Sequence, residues 1–183
     1  MGTLVLNGAT SGATTLTPTD AVTTTVTFPS LGGTAMVSGN MPAFSAYKSV
    51  DQSVSQNVWT KCTFETEVFD TNNNFASSRF TPTIAGYYLI IGSVDATYTS
   101  SYANGNIGNA IYKNGSLYTY ISLPFFTAST SAANLNVQSV IYFNGSTDYV
   151  EMYGYNPNPT ASPAIFVGPQ PYCYFNGCLL RTA

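Results

Sequence analysis

The residues that could do chemistry are few and thinly spread. The 183-residue chain has no histidine, eight Asp and Glu, and five Lys and Arg. Without an imidazole, a Ser or Thr nucleophile needs some other base beside it. None has an obvious one in sequence, and the Gly-x-Ser-x-Gly pattern is absent. Glu65 and Glu67 stand two apart on one face of an extended segment, followed by Asp70. Glycoside hydrolysis needs such paired carboxylates. The same spacing is that of a solvated strand face, and this is the reading adopted. Asp70 with Asn72, Asn73 and Asn74 offers oxygens of the kind Ca²⁺ takes. One carboxylate among neutral amides makes a weak site, so an Asn-rich turn is expected instead. Asp148 and Glu151 flank a second turn and are expected at the surface. Cys62, Cys173 and Cys178 form no Cys-x-x-Cys pair. Cys173 and Cys178, five apart, point to opposite faces if they share a strand. All three read as reduced, mostly buried thiols. No catalytic residue, metal or cofactor is assigned, and no enzymatic activity is expected.

A chain this poor in catalytic groups is expected to work through its surfaces. Charged residues are 7% of the sequence, where about a quarter is usual. Thr, Ser and Asn take their place, with 14 Tyr and 11 Phe. Thr, Tyr and Phe suit pleated, half-buried surfaces, while Gly, Asn and Pro punctuate turns. The composition is that of an all-β protein. The net charge is −3. Five cations cannot neutralise many phosphates, so no nucleic acid is expected as a partner. No basic membrane-binding face is available either. MGTLVLNGATSG lacks the basic and apolar regions of a secretory signal. No run reaches the roughly 18–20 apolar residues that cross a bilayer. Synthesis in a cytosol, without an export signal, is the expectation.

Two textures divide the chain, at residues 1–40 and 41–183. The first is Thr, Gly, Ala and Val with few aromatics. TLVLNGAT suggests a short strand and an Asn-Gly turn. AVTTTVTF alternates, with Val22, Val26 and Phe28 on one face. This region cannot bury much alone and reads as a β arm anchored through Leu4, Leu6, Val22, Val26 and Phe28. From Met41 the aromatics begin. AFSAYKSV suggests an entry strand. In VWTKCTFETEVFD, alternation puts Thr60, Cys62, Phe64, Thr66 and Val68 on a core face. Phe80–Val94 (FTPTIAGYYLIIGSV) suggests one long strand, with Tyr87, Leu89 and Ile91 on one face and Tyr88 and Ile90 on the other. A sandwich strand normally wets one face. Two apolar faces predict a core on one side and another chain on the other. Asn114-Gly115 carries the strongest hairpin signal, and Asn144-Gly145 repeats it. No stretch shows a helical period. Short strands separated by turn signals predict an antiparallel sandwich or barrel.

The residues from Met41 to Arg181 resemble a known jelly roll. A Phe-Thr strand, a turn, then Gly-x-Tyr entering a long apolar strand matches Phe80, Thr81, Gly86 and Tyr88. AIYKNG (Ala110–Gly115), SVIYFNGSTDYVEMYGYN and YFNGCLL follow, the last with Phe175, Gly177 and Leu179. This order is similar to the globular head of the first complement component and to the tumour necrosis factor superfamily. The resemblance implies an antiparallel jelly roll of about ten strands that assembles as a homotrimer. It implies a trimer interface using Tyr87, Leu89 and Ile91, together with the Tyr-rich stripe Tyr149, Tyr153 and Tyr155.

The stretch TLVLNGATSGATTLTPTDAVTTTVTFPSLGGT, Thr3–Thr34, is similar to Thr- and Gly-rich β segments in structural proteins of tailed bacteriophages, notably marine and cyanobacterial ones. The resemblance implies a virion surface protein assembled in the host cytoplasm, with the major capsid protein or other virion proteins as partners. A trimeric decoration or cement protein of the head is the first expectation. The alternative is a short fibre or receptor-binding tip whose loops, TNNNF and NPNPTASP, meet host surface glycans.

Overall fold

The structure is a computed structural model that describes residues 4–7, 11–16, 41–98, 105–125, 131–156, 164–166 and 172–183. The chain divides into two compact units, Met1–Thr34 and Ala35–Ala183. In the smaller unit, β1 (Leu4–Asn7) and β2 (Ala13–Leu16) form an antiparallel hairpin. Pairing ends at Asn7↔Ala13, so the connection is longer than a two-residue Asn-Gly turn. Leu6 is exposed. Val22, Val26, Phe28 and the strand expected around them lie outside the described residues, as does 157–163 of the NPNPTASP loop.

The larger unit is a two-sheet antiparallel sandwich, and no helix occurs among the described residues. Its early strands are short: β3 (Ala43–Tyr47), β4 (Gln52–Val54), β5 (Trp59–Lys61), β6 (Thr66–Asp70), β7 (Phe75–Ala76) and β8 (Arg79–Phe80). Four long strands follow: β9 (Gly86–Tyr98), β10 (Gly105–Lys113), β11 (Ser116–Phe125) and β12 (Ser131–Phe143). Last come β13 (Val150–Tyr155), β14 (Ala164–Phe166) and β15 (Tyr174–Thr182). One sheet of six strands runs β11-β10-β13-β8-β7, with β5 beside β8 along β13. The other, of seven, runs β4-β14-β9-β15-β3-β6, with β12 on the free side of β9. The sandwich is the expected jelly roll. Its strands exceed ten because the edges are broken into short pieces.

Local chemistry explains the hairpin at Asn114-Gly115. Both residues hold positive φ, 52° and 77°. That is the mirror-image turn whose twist matches paired strands. The other expected hairpin is corrected by the structure. Asn144-Gly145 joins β12 to β13, which belong to different sheets. The Asn144 side-chain oxygen accepts from the N–H groups of Ser146, Thr147 and Asp148 and closes the crossing on itself. A Cβ at Gly145 would lie 2.4 Å from the Ala85 nitrogen, so only glycine passes there.

Two further expectations are corrected. Trp59–Asp70 is not one strand: β5 lies in the six-stranded sheet and β6 in the seven-stranded one. Cys62 and Phe64 do point into the core between them. Val68 is instead 60% exposed, because a register shift opposite Ser45 and Ala46 leaves it unpaired. Nor is Phe80–Val94 continuous. Phe80 ends β8 in one sheet and Gly86 begins β9 in the other. Pro82 between them has no N–H to give a ladder.

The core is an aromatic pile. Phe44 of the seven-stranded sheet stacks on Phe75 and Phe80 of the other, at centroid distances of 4.9 and 4.3 Å. Phe175 meets Phe44 edge-on at 5.1 Å. Tyr88 and Phe143 pack behind Phe80. The buried Tyr88 hydroxyl donates to the Ile84 carbonyl, and burial pushes its pKa up to about 12. Gly177 makes room for the pile: a Cβ there would stand 2.6 Å from the Phe44 ring and 2.7 Å from Ile90. Gly177→Ala is therefore expected to cost about 1–3 kcal/mol of stability by overpacking. A urea unfolding midpoint equal to that of the unchanged protein would contradict this account of the core.

Candidate functional site

Of the carboxylates that could do chemistry, Glu67 is exposed on β6, while Asp70, Glu65, Asp148 and Glu151 are engaged by the chain itself. Asp70 accepts from the N–H groups of Asn72 and Phe75 and holds the Asn-rich turn. Glu65 accepts from the Ser49 N–H, the Thr63 hydroxyl and the Lys48 ammonium. Burial raises its pKa, but these partners outweigh that and hold it low. Lys48 is fully buried and also donates to Gln52 and to the Thr63 carbonyl. Asp148 accepts from Asn114, from the Asn144 N–H and from Lys113, which stands 2.9 Å away. Burial again raises its pKa and these bonds lower it further.

Glu151 is not at the surface, as expected from the sequence, but 3% exposed. Strand alternation does place it on the outer side of β13, since Val150 and Met152 enter the core. Lys61 at 2.6 Å and Arg79 at 2.8 Å close over it. Arg79 in turn lies 3.9 Å above the Tyr149 ring. Burial pushes the Glu151 carboxyl up, while hydrogen bonds and charge from Lys61 and Arg79 prevail and keep it below the ordinary range.

Among the described residues no group of His, Cys, Asp and Glu is placed to hold a metal ion. Cys62 and Cys173 are buried thiols and Cys178 is half-buried. Burial pushes the Cys173 thiol up to about 11. Cys173 and Cys178 do face opposite sides of the β15 sheet. Among the described residues no helix is long and apolar enough to cross a membrane.

The residues expected at an interface form two separate sets. Tyr87, Leu89 and Ile91 share the outer face of the seven-stranded sheet. Their neighbours in register on β12 are Tyr142, Val140 and Gln138. Tyr87 and Tyr142 pack ring against ring at 5.4 Å. Phe69, Val140 and Tyr142 are exposed. Leu89, Ile91, Phe69, Asn176 and Cys178 line a shallow apolar depression of about 280 Å³. The Asn176 side-chain oxygen is buried there without a hydrogen-bond partner. Tyr149, Tyr153 and Tyr155 belong to the outer side of the other sheet, and the structure does not bring the two sets together. This second set is engaged within the chain. Tyr153 stacks on Tyr112 at 3.9 Å, and Tyr155 packs on Trp59 and donates to Asn57.

Sequence reasoning missed a third apolar surface, on β11. Ile121 and Leu123 pair with Asn109 and Ile107, both buried, so they point to the inner side. They are nevertheless exposed, because β11 is an edge strand that overhangs the sandwich. Leu117, Tyr118 and Tyr120 are exposed on the same strand. Alternation alone could not reveal this, since the pattern is that of an ordinary buried face.

No family model and no curated protein matches the sequence. Solved structures match the fold. The globular domain of zebrafish complement 1qA protein aligns with a TM-score of 0.55 at 17% identity, covering 78% of this chain and 99% of that one. Murine APRIL at pH 5.0 aligns with a TM-score of 0.54 at 11% identity, covering 76% and 99%.

The Glu151 arrangement gives a pH prediction. Its pKa is depressed in the folded state, so its stabilisation is complete above the unfolded value, about 4.3, and is lost as pH falls through the folded one. Glu151→Gln should cost about 1–3 kcal/mol near pH 7, with the gap to the parent closing in acid. Thermal melts from pH 7 to pH 3 that stay parallel would contradict it.

The strand order, the closing Gly177 strand and these alignments together make the larger unit a jelly roll of the kind found in complement C1q heads and tumour necrosis factor ligands.

Proposed function

We propose that this protein acts by assembly rather than catalysis, as a homotrimer that decorates a phage particle. The observation that carries the assembly is the outer face of β9 and β12, where Tyr87, Leu89, Val140 and Tyr142 lie together beside Phe69. Contiguous exposed apolar surface of this kind marks an interaction site. A closed ring of three needs two different, complementary patches on each copy. The β9–β12 face supplies one and the β11 edge, with Ile121 and Leu123, supplies the other. The edge of one copy then covers the face of the next. A donor from the neighbour would complete the bonding of Asn176. Tyr149, Tyr153 and Tyr155, already packed within the chain, suit this role less well.

Attachment of the trimer to a phage head through the N-terminal segment is supported by the likeness of Thr3–Thr34 to phage structural proteins and by the exposed Val5 and Leu6. In this reading the trimer clamps neighbouring major capsid subunits. The second reading, a receptor-binding tip, is favoured by a pocket beside Lys61 and Arg79 on the six-stranded sheet, treated below.

Leu89→Asp or Leu123→Asp should each leave the β-sheet circular dichroism unchanged and reduce the native mass to that of the 19.5 kDa protomer. A variant that keeps the parent's mass would remove its patch from the interface. Phage heads lacking the protein should bind it in many copies and gain resistance to heat and osmotic shock. Unchanged head stability would count against the decoration role.

A further inference from the structure

Lys61 and Arg79 do more than neutralise Glu151. They also line an open pocket of about 490 Å³ with Asn73, Asn74, Ser77, Thr81 and Thr83. This volume lies in the range of small-molecule sites. The pocket contains no carboxylate in its wall. Glu151 stands behind the two cations and cancels one of their charges, which leaves the site net positive in a chain of net charge −3. Both cations spend their bonds on the single oxygen Oε1 of Glu151. Arginine carries five donors and lysine three, so N–H groups on each remain for a ligand. Their side chains are 32% and 43% exposed. Glu151 and Tyr149 hold the guanidinium from two sides, so its geometry is fixed before anything binds.

The remaining wall is made of amides and hydroxyls together with the Ala76 methyl. Asn74 bridges the Asn72 carbonyl and Thr83 and fixes the floor. Ser77 and Ser78 both hold positive φ, 51° and 57°, which is uncommon outside glycine, Asn and Asp. The Ser78 hydroxyl accepts from the Phe64 N–H, whereas Ser77 is exposed at the rim.

We infer that this pocket binds an acidic saccharide, with its carboxylate or sulfate on Lys61 and Arg79 and its hydroxyls on the Asn, Ser and Thr wall. One anionic group matches the net charge of the site. Hydroxyls and amides mixed with the Ala76 and Thr methyl groups suit a sugar ring, which presents both hydroxyls and an apolar face. All the residues belong to one chain, so the site does not depend on the trimer.

The test is an NMR titration of the full-length protein with matched pairs: glucuronate against glucose, and galactose 6-sulfate against galactose. The acidic member of at least one pair should bind saturably, at least about tenfold tighter than its neutral partner, and weaken with added salt. The two pairs separate a carboxylate site from a sulfate site. Ser77→Asp puts a carboxylate at the rim without touching Glu151, in a backbone conformation Asp accepts, and should lower affinity at least about tenfold. Ser77→Asn should bind as the parent does. Equal binding of neutral and acidic sugars, no saturable binding, or unchanged affinity in Ser77→Asp would overturn the proposal. Inorganic sulfate binding as tightly as the sulfated sugar would reduce the site to an anion site and overturn the saccharide assignment.

Discussion

Phe44 is where the two sheets are joined. Its ring lies against Phe75 and Phe80 from one sheet and Phe175 from its own. Such stacked and edge-on pairs contribute about 0.5–1.5 kcal/mol each beyond the area they bury. More important is what the pile demands of the backbone. Gly177 must stay bare to admit the Phe44 ring. Gly86 must stay bare as well, since a Cβ there would meet the Arg181 carbonyl oxygen at 2.5 Å. These contacts set the register of β15 against β9, and hence which residues of β9 face outward. The apolar outer face is thus a consequence of how the core is packed.

Scarcity of charge shapes the rest. With so few ionisable groups, several of the described ones hold specific junctions of the fold. Lys48 pins the crossing at Thr63 and Glu65 from inside the sandwich. Lys113 and Asp148 tie the Asn114-Gly115 hairpin to the Asn144 crossing. Glu151 gathers two cations on the outer side of the six-stranded sheet. Hydroxyls and amides take the place that charge usually has in the composition, and the two cations beside the β9–β12 face lie against its rings, Arg181 5.2 Å from Tyr87 and Lys113 5.9 Å from Tyr142.

Local signals were readable from sequence and long-range ones were not. The Asn114-Gly115 hairpin rests on two adjacent residues, and the core face of Tyr88 and Ile90 on simple alternation. Alternation continues, however, when a strand ends and the chain crosses to the other sheet. That is why Trp59–Asp70 and Phe80–Val94 read as single strands. Asn144-Gly145 has the turn chemistry of a hairpin, but whether a turn joins neighbours in one sheet depends on residues far away. The burial of Glu151 depends on Lys61 and Arg79, 90 and 72 residues distant. The exposure of Ile121 and Leu123 depends on β11 being an edge. Of the exposed apolar surfaces, the face of Tyr87, Leu89 and Ile91 was legible, and the β11 edge was not.

The account turns on a face of one copy meeting an edge of the next. The most direct measurement mixes two variants, Leu89→Asp with its face spoiled and Leu123→Asp with its edge spoiled. Each alone should sediment as a 19.5 kDa protomer. Mixed in equal amounts, they retain one intact face and one intact edge between them, and should form a one-to-one dimer that cannot close into a ring. A mixture that stays monomeric, or either variant holding the parent's mass alone, would contradict the account.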